Sequence, residues 1–234
     1  MLFSIVDSTN NFINSMKEKF SRDRDSRPTD ILEMQAFIVL LYYAGILKAN
    51  HLNADDLWKT DGSSVEIFRL TMSLVRFRFL LRCIRTDDKA TRAERAKIDK
   101  LAPIRFFFDK FVDNCKNGYS LSKYVTGDEK LKAFRGRCSV RQYTPLKPSR
   151  YGIKIFALAD AMMMYVSNME VYVGQQPEGP FRVSNSPNIV VKRLCQHIYG
   201  SGRNVTIDNW FTSIDLVDAL HTEKNYYHWY HKEK

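Results

Sequence analysis

The hydrophobic period of this chain changes once, near Gly118, and that change restricts it to helices first and a sheet second. Before the change, apolar residues recur at three- and four-residue steps. Leu74, Phe77, Leu80, Leu81 and Ile84 fall on one face of a 3.6-residue repeat, with Ser73 placed to cap them. Asp30 and Glu33 have capping-box spacing ahead of the apolar run that begins at Met34. The most apolar part of that run, Ala36 to Leu47, is 12 residues long. A bilayer span needs about 20, so the segment reads as a buried helix and the chain as having no membrane partner. Asn53 is placed to cap a short helix through Asp56 and Trp58, and Pro103 suits a first helical position before Ile104 to Cys115. Residues 85–100 are mostly charged and read as an exposed linker.

After Gly118 the pattern turns β-branched, aromatic and roughly alternating. Tyr124-Val125, Tyr151 to Leu158 and Met164 to Val173 read as strands. Gly174 to Asn188, with three prolines, is a loop. Ile189 to Ile198 reads as a helix, Arg203 to Asp208 as a short buried strand, and Ile214 to Leu220 as a helix capped by Ser213. Three strands, a helix, a strand and a helix is the order of a ribonuclease H-like fold, in which the first strands form an antiparallel meander and the fourth adds in parallel.

Lys and Arg number 36 against 26 Asp and Glu, a net charge of +10 and a pI near 9.4. That balance favours a polyanionic partner, either nucleic acid or an anionic membrane surface. The cysteines, Cys83, Cys115, Cys138 and Cys195, are far apart and form no CxxC pair, so reduced thiols are the simpler reading. The first residues carry neither a basic n-region nor a long apolar h-region.

Two segments place an aspartate at a predicted strand. One is Thr126-Gly-Asp-Glu-Lys-Leu-Lys-Ala-Phe-Arg-Gly-Arg-Cys138 and the other is Asn204-Val-Thr-Ile-Asp-Asn-Trp-Phe-Thr-Ser-Ile214. If those strands are neighbours, Asp128 and Asp208 converge. Two close carboxylates repel when both are ionised, and a divalent cation removes that cost. Mg²⁺ takes one or two carboxylates together with substrate phosphate oxygens and water, which suits phosphodiester cleavage. The plainer reading is that an Asp beside a strand is a turn or cap residue. Asp208 can simply begin the turn into the next helix, and Asp160 is read as a turn residue.

Asp128-Glu129, Phe134-Arg-Gly-Arg-Cys138, Lys147-Pro-Ser-Arg-Tyr-Gly-Ile-Lys154 and Thr206-Ile-Asp-Asn-Trp-Phe-Thr-Ser213 stand in one order along the chain. Asp55-Asp-Leu-Trp58 and Arg78 to Lys89 precede them. This series resembles the piggyBac-type DDE transposases, over roughly residues 30 to 222. The fold class the resemblance implies is α+β or α/β, an N-terminal helical region followed by an incomplete ribonuclease H-like catalytic domain. The implied divisions are 1–120, a helical dimerisation or DNA-binding-like region; 121–224, a partial transposase core; and 225–234, a divergent tail.

The resemblance also implies Asp128 and Asp208 as catalytic and metal-binding residues, Mg²⁺ as cofactor, double-stranded DNA (transposon ends and a TTAA target) as partner, a homodimer, and a nuclear location. Glu129 follows the first aspartate in the family pattern, but on an extended strand it points to the opposite face, so it is not read as a ligand. The chain departs from the family in three ways. It ends 26 residues after Asp208, before the family's remaining catalytic acid, and so reads as C-terminally truncated. Gly127 stands where an apolar strand residue is usual, and Gly weakens a strand. The tail from Asn225 does not resemble the family.

From Lys130 to Lys154 there are eight basic residues and no acid: Lys130, Lys132, Arg135, Arg137, Arg141, Lys147, Arg150 and Lys154. Tyr143 and Tyr151 interleave. The run reads as a DNA track, which would give salt-dependent, sequence-blind affinity, and its bland alternative is a solvated face of a basic protein. Arg76, Arg78, Arg82 and Arg85 form a second, weaker candidate. His221, His228 and His231 cluster near the end, where such a group more often means nothing than zinc. Three readings stay open: an active transposase core, a non-catalytic domesticated DNA-binding derivative, and a fragment of a decayed element.

Overall fold

The computed structural model describes residues 1–20 and 26–229. The chain divides into two compact units, Met1–Ala93 and Glu94 to the C-terminus.

The first unit is helical. Helix α1 (Leu2–Met16) buries Ile5, Val6, Thr9, Phe12 and Ile13, a helical stripe that has no capping side chain to mark its start. Helix α2 (Ile31–Ile46) begins where the capping box predicts, with Asp30 accepting from the Glu33 N–H at 2.8 Å. Helix α3 (Ala54–Leu57) is capped by Asn53, and α5 (Leu74–Cys83) by Ser73; between them lies α4 (Ile67–Thr71). The core closes on Met34, Phe37, Leu40, Phe68 and Leu80, all fully buried. Trp58 packs on Phe68 and Phe77 with ring centroids 5.1 and 4.8 Å apart, and its indole N–H donates to the Met72 carbonyl. Arg76 forks onto both oxygens of Glu33 and also donates to the Arg27 and Pro28 carbonyls. It is a structural tie: burial, the largest single influence, raises the Glu33 pKa, and the Arg76 and Thr29 hydrogen bonds with the Arg76 and Arg27 charges together hold it below its ordinary value.

The structure differs from the sequence reading at two places here. Helix α2 buries only one face, because Val39, Tyr42 and Ile46 remain exposed. Residues 85–100 are not an exposed linker throughout. Asp87 is buried beneath the Arg92 guanidinium, and α6 (Arg92–Ala96) follows it. Asp99 is buried and accepts from Arg105, Gln176 and the Leu101 N–H. Charged residues can be interior when each carboxylate finds a fixed donor set.

The second unit is built on a mixed sheet of six strands: β1 (Tyr124–Ala133), β2 (Gln142–Tyr143), β3 (Tyr151–Asp160), β4 (Val166–Val171), β5 (Asn204–Ile207) and β6 (Tyr226–Trp229). Strands β1, β3 and β4 form the expected antiparallel meander, and β5 adds to β1 in parallel. Beyond β5, β6 adds in parallel again, so part of the tail read as divergent completes the sheet edge. Residues 230–234, including His231, lie outside the described residues. The 3.6-period segments become α7 (Arg105–Asn117), α8 (Pro187–Cys195) and α9 (Ile214–Thr222), the last capped by Ser213.

Alternation sorts the sheet into two faces. Val125, Phe156, Leu158, Val205 and Ile207 point to one face and meet Val190, Val191 and Leu194 of α8 and Leu216 and Leu220 of α9. Each such fully buried side chain contributes about 1.5–3 kcal/mol. On the other face α7 packs on β4, and Val171 and Val173 meet Leu101 and Val140, with Phe108, Ile153 and Ile155 packed beside them. Along β1 and β5 this second face carries Tyr124, Thr126, Asp128, Asn204 and Thr206, none of them buried.

Candidate active site

Strands β1 and β5 run parallel and in register, with the rungs Val125↔Val205, Thr126↔Thr206 and Gly127↔Ile207. Asp128 and Asp208 are the next residues on each. They therefore stand side by side on neighbouring strands, which lie about 4.8 Å apart in a sheet. Both are exposed. Each carboxylate is held by one contact of the same kind: Asp128 accepts from the Glu129 N–H at 2.6 Å and Asp208 from the Asn209 N–H at 2.6 Å, in both cases through Oδ1. Among the described residues neither Oδ2 has such a contact.

The turn after Asp208 is fixed from several sides. The Asp208 carbonyl accepts from the Phe211 N–H and the Thr212 hydroxyl. The Thr212 hydroxyl also meets the Tyr227 hydroxyl at 2.8 Å, so β6 braces this turn. Trp210 stacks on Phe156, and Phe211 meets the same ring edge-on. Gly127 has a packing reason to be Gly: a Cβ there would stand 3.1 Å from Ile207 Cγ2.

The other candidate residues separate by strand parity. Lys130 and Lys132 are exposed on the Asp128 face of β1, and Arg135, Arg137 and Arg150 are exposed in the following loops. Arg141 folds back onto the Arg135 and Gly136 carbonyls and lies over the Tyr151 ring. Lys147 and Lys154 meet Glu129 at 3.7 and 2.5 Å on the opposite face of the sheet from Asp128. Glu129 points away from Asp128, as strand alternation requires. Arg76, of the weaker basic candidate, is buried with Glu33.

Asp160 is a turn residue of a stronger kind than its sequence position reveals. It is buried and accepts from the Ser122, Met162 and Met163 N–H groups at 2.5, 2.8 and 2.9 Å. These donors, Ser122 foremost, hold its pKa down to about 2. Sequence reasoning did not find this role, nor those of Tyr227 and Lys154. The period-2 parity around Glu129 was the one available signal for Lys154.

Among the described residues no group of three or more His, Cys, Asp or Glu side chains converges. A cleft of 320 Å³ opens between α7, β4 and α8, lined among others by Arg105, Phe108, Asn168, Glu170 and Arg193. Its carboxylates are Asp109, Asp113 and Glu170, and neither Asp128 nor Asp208 lines it, so it is separate from the predicted aspartate pair. What Asp128 and Asp208 offer is a pair of hard oxygen donors on the two central strands, one within β1 and one just past the end of β5, each with an oxygen to spare, and that set fits a hard divalent cation that keeps other ligands of its own.

A mixed sheet flanked by helices, with two aspartates on adjoining parallel strands, defines a class that comparison identifies. The family model described as transposase IS4 matches residues 1–228, and the chain belongs to that transposase family. Its relatives are of the piggyBac type. Human PiggyBac transposable element-derived protein 3 is 22% identical over 191 residues, 80% of this chain and 31% of that protein. The human chimeric ERCC6-PGBD3 protein is also 22% identical, over 80% of this chain and 18% of its own. Among solved structures, the piggyBac transposase in a synaptic complex with hairpin DNA matches with a TM-score of 0.86 and 36% identity, over 97% of this chain and 47% of that one. The chain thus spans a third or less of the curated relatives' length. No helix among the described residues is long and apolar enough to cross a membrane.

Proposed function

We propose that this chain carries part of the strand-cleavage and strand-transfer site of a piggyBac-like DNA transposase, with Asp128 and Asp208 as the residues that hold Mg²⁺. The single observation that carries this reading is their register: two exposed aspartates one rung past Gly127↔Ile207, each with one oxygen fixed by the following N–H. Bound there, Mg²⁺ would supply activation of the attacking oxygen and stabilisation of the leaving 3′ oxygen. The chain's own contribution is to fix the two carboxylates by short backbone contacts and to brace the Asp208 turn through Thr212 and Tyr227. The substrate is double-stranded DNA at transposon ends and a TTAA target, the place of action the nucleus, and the working form a homodimer joined through the helical region of residues 1–120.

Two carboxylates make an incomplete site, so these 234 residues alone are expected to bind DNA without turning it over. Incubation of the chain with a transposon-end hairpin and Mg²⁺ tests this. Nicking that Asp128→Asn abolishes would show that the site is complete, for instance through a second copy of the chain.

The second reading, a non-catalytic DNA-binding derivative, rests on the exposed basic residues that flank Asp128. Lys130→Ala/Lys132→Ala should lower the salt dependence of duplex binding by about one unit of slope per lost phosphate contact. Lys147→Ala should lower it less, since that ammonium already faces Glu129. No binding at low salt would sink both readings.

A further inference from the structure

Lys154 belongs to the basic run, yet the sheet turns it away from the carboxylates. Register explains where it goes. Glu129 lies opposite Phe156, and Lys154 is two residues before Phe156, so all three share the face that packs on α8 and α9. Tyr172, whose N–H donates to the Lys154 carbonyl, follows β4 and stands beside them. The Lys154 ammonium sits 2.5 Å from Glu129 Oε2. It also lies 5.0 Å from the Phe156 ring centroid, 5.7 Å from Tyr172 and 4.8 Å from Trp210. A cation within about 6 Å of a ring centroid is attracted by the ring's quadrupole.

The two ends of this contact matter for the aspartates on the other face. Glu129 is the residue after Asp128, and its N–H holds Asp128 Oδ1. Trp210 is two residues after Asp208, in the turn whose first N–H holds Asp208 Oδ1. One ammonium thus joins the segment that orients the first carboxylate to the segment that orients the second, through the thickness of the sheet. Glu129 and Trp210 also meet through Phe156, the cross-strand partner of Glu129 and the ring on which Trp210 stacks, so the ammonium adds a charged tie to an apolar one.

We propose that Lys154 is a positioning residue: a partly buried cation, held between Glu129 and the Trp210 ring, that locks Asp128 and Asp208 into one register. This rests on the metal-holding reading of the two aspartates. It removes Lys154 from the DNA track and gives it a role a neutral side chain of similar length cannot fill. Arginine fills it in part, because a guanidinium also pairs with a carboxylate and stacks on an indole.

The test uses the full chain with Mn²⁺ as the probe, followed by water-proton relaxation, and acrylamide quenching of Trp210 read as the difference from a Trp210→Phe control. Lys154→Met is expected to weaken Mn²⁺ binding about 10- to 100-fold, the usual cost of losing a group that orients metal ligands. It is also expected to raise Trp210 quenching, and Lys154→Arg should restore both in part. Native Mn²⁺ affinity and native quenching in Lys154→Met would overturn the proposal. If Asp128→Asn leaves Mn²⁺ binding unchanged, the metal-holding reading is what fails, and the clamp is then judged by quenching alone. If Lys154→Met does not fold, Glu129→Gln releases one end of the clamp and carries the same test; unchanged quenching there overturns it.

Discussion

Three rungs of one sheet separate Asp160 from Asp128, and the two carboxylates are held in opposite ways. Asp160 is buried beneath three backbone N–H donors at the β3–β4 turn. Asp128, like Asp208 beside it, is exposed and takes one N–H, from its own successor. In sequence all three are the same kind of residue, an aspartate at the end of an apolar run or beside one. The difference teaches that donor saturation separates a structural carboxylate from an available one. A carboxylate whose lone pairs are filled by the backbone stabilises the fold and has nothing left for a ligand. One with an oxygen free costs little to keep and can bind.

The sharpest way to break the comparison is to exchange stability for function at each site. Asp160→Ala leaves three N–H groups without their acceptor. It should lower the thermal midpoint by on the order of 5 °C or more, the largest effect expected on stability. An unchanged melting curve would mean those contacts are incidental. Asp128→Asn with Asp208→Asn should do the reverse, leaving stability within about 0.5 kcal/mol, as for exposed substitutions elsewhere. The same pair should abolish Mn²⁺ binding; a double variant that binds as the native chain does removes the site.

Acid gives a third, smaller contrast. The Asp160 pKa is depressed to about 2, below the ordinary aspartate value of 3.8. Its contribution is therefore fully present above about pH 4 and is lost as pH falls through about 2. An Asp160→Asn chain should lose less stability than the native one over that window. Parallel limbs for native and Asp160→Asn would contradict the assignment.

The smallest effect is expected at Gly127, which packs beneath the rung that carries Asp128. Glycine costs a strand about 0.5–1 kcal/mol in backbone freedom. A methyl group would press on Ile207 at 3.1 Å. The two effects oppose, so chemical denaturation of Gly127→Ala should move stability by less than about 1 kcal/mol. Gly127→Val, with more to fit, should lose about 1–3 kcal/mol. A stabilised Gly127→Val chain would show that the β1–β5 contact is looser than its spacing indicates.

Much of the fold could be read along the chain because its causes are local. Asp30, Asn53, Ser73 and Ser213 each accept from a backbone N–H at the start of the helix they were expected to cap. The meander and the parallel fourth strand followed from alternation and order, and Asp128 and Asp208 were picked out by their motifs. Helix α1 was missed although its apolar stripe is helical, because no cap announces it. The strand Tyr226–Trp229 was missed because the tail departs from the family, while pairing with β5 asks only for an extended segment in reach.

What the sequence by itself determined, then, is which capped or strongly periodic segments are helix or strand and which aspartates are candidates, since capping and periodicity act over three or four residues. Which of those aspartates is spent on the backbone, and which lysine faces Glu129 rather than solvent, was decided only by the tertiary structure. Both depend on strand register, which brings residues far apart in the chain onto one face, and no short window of sequence contains that information.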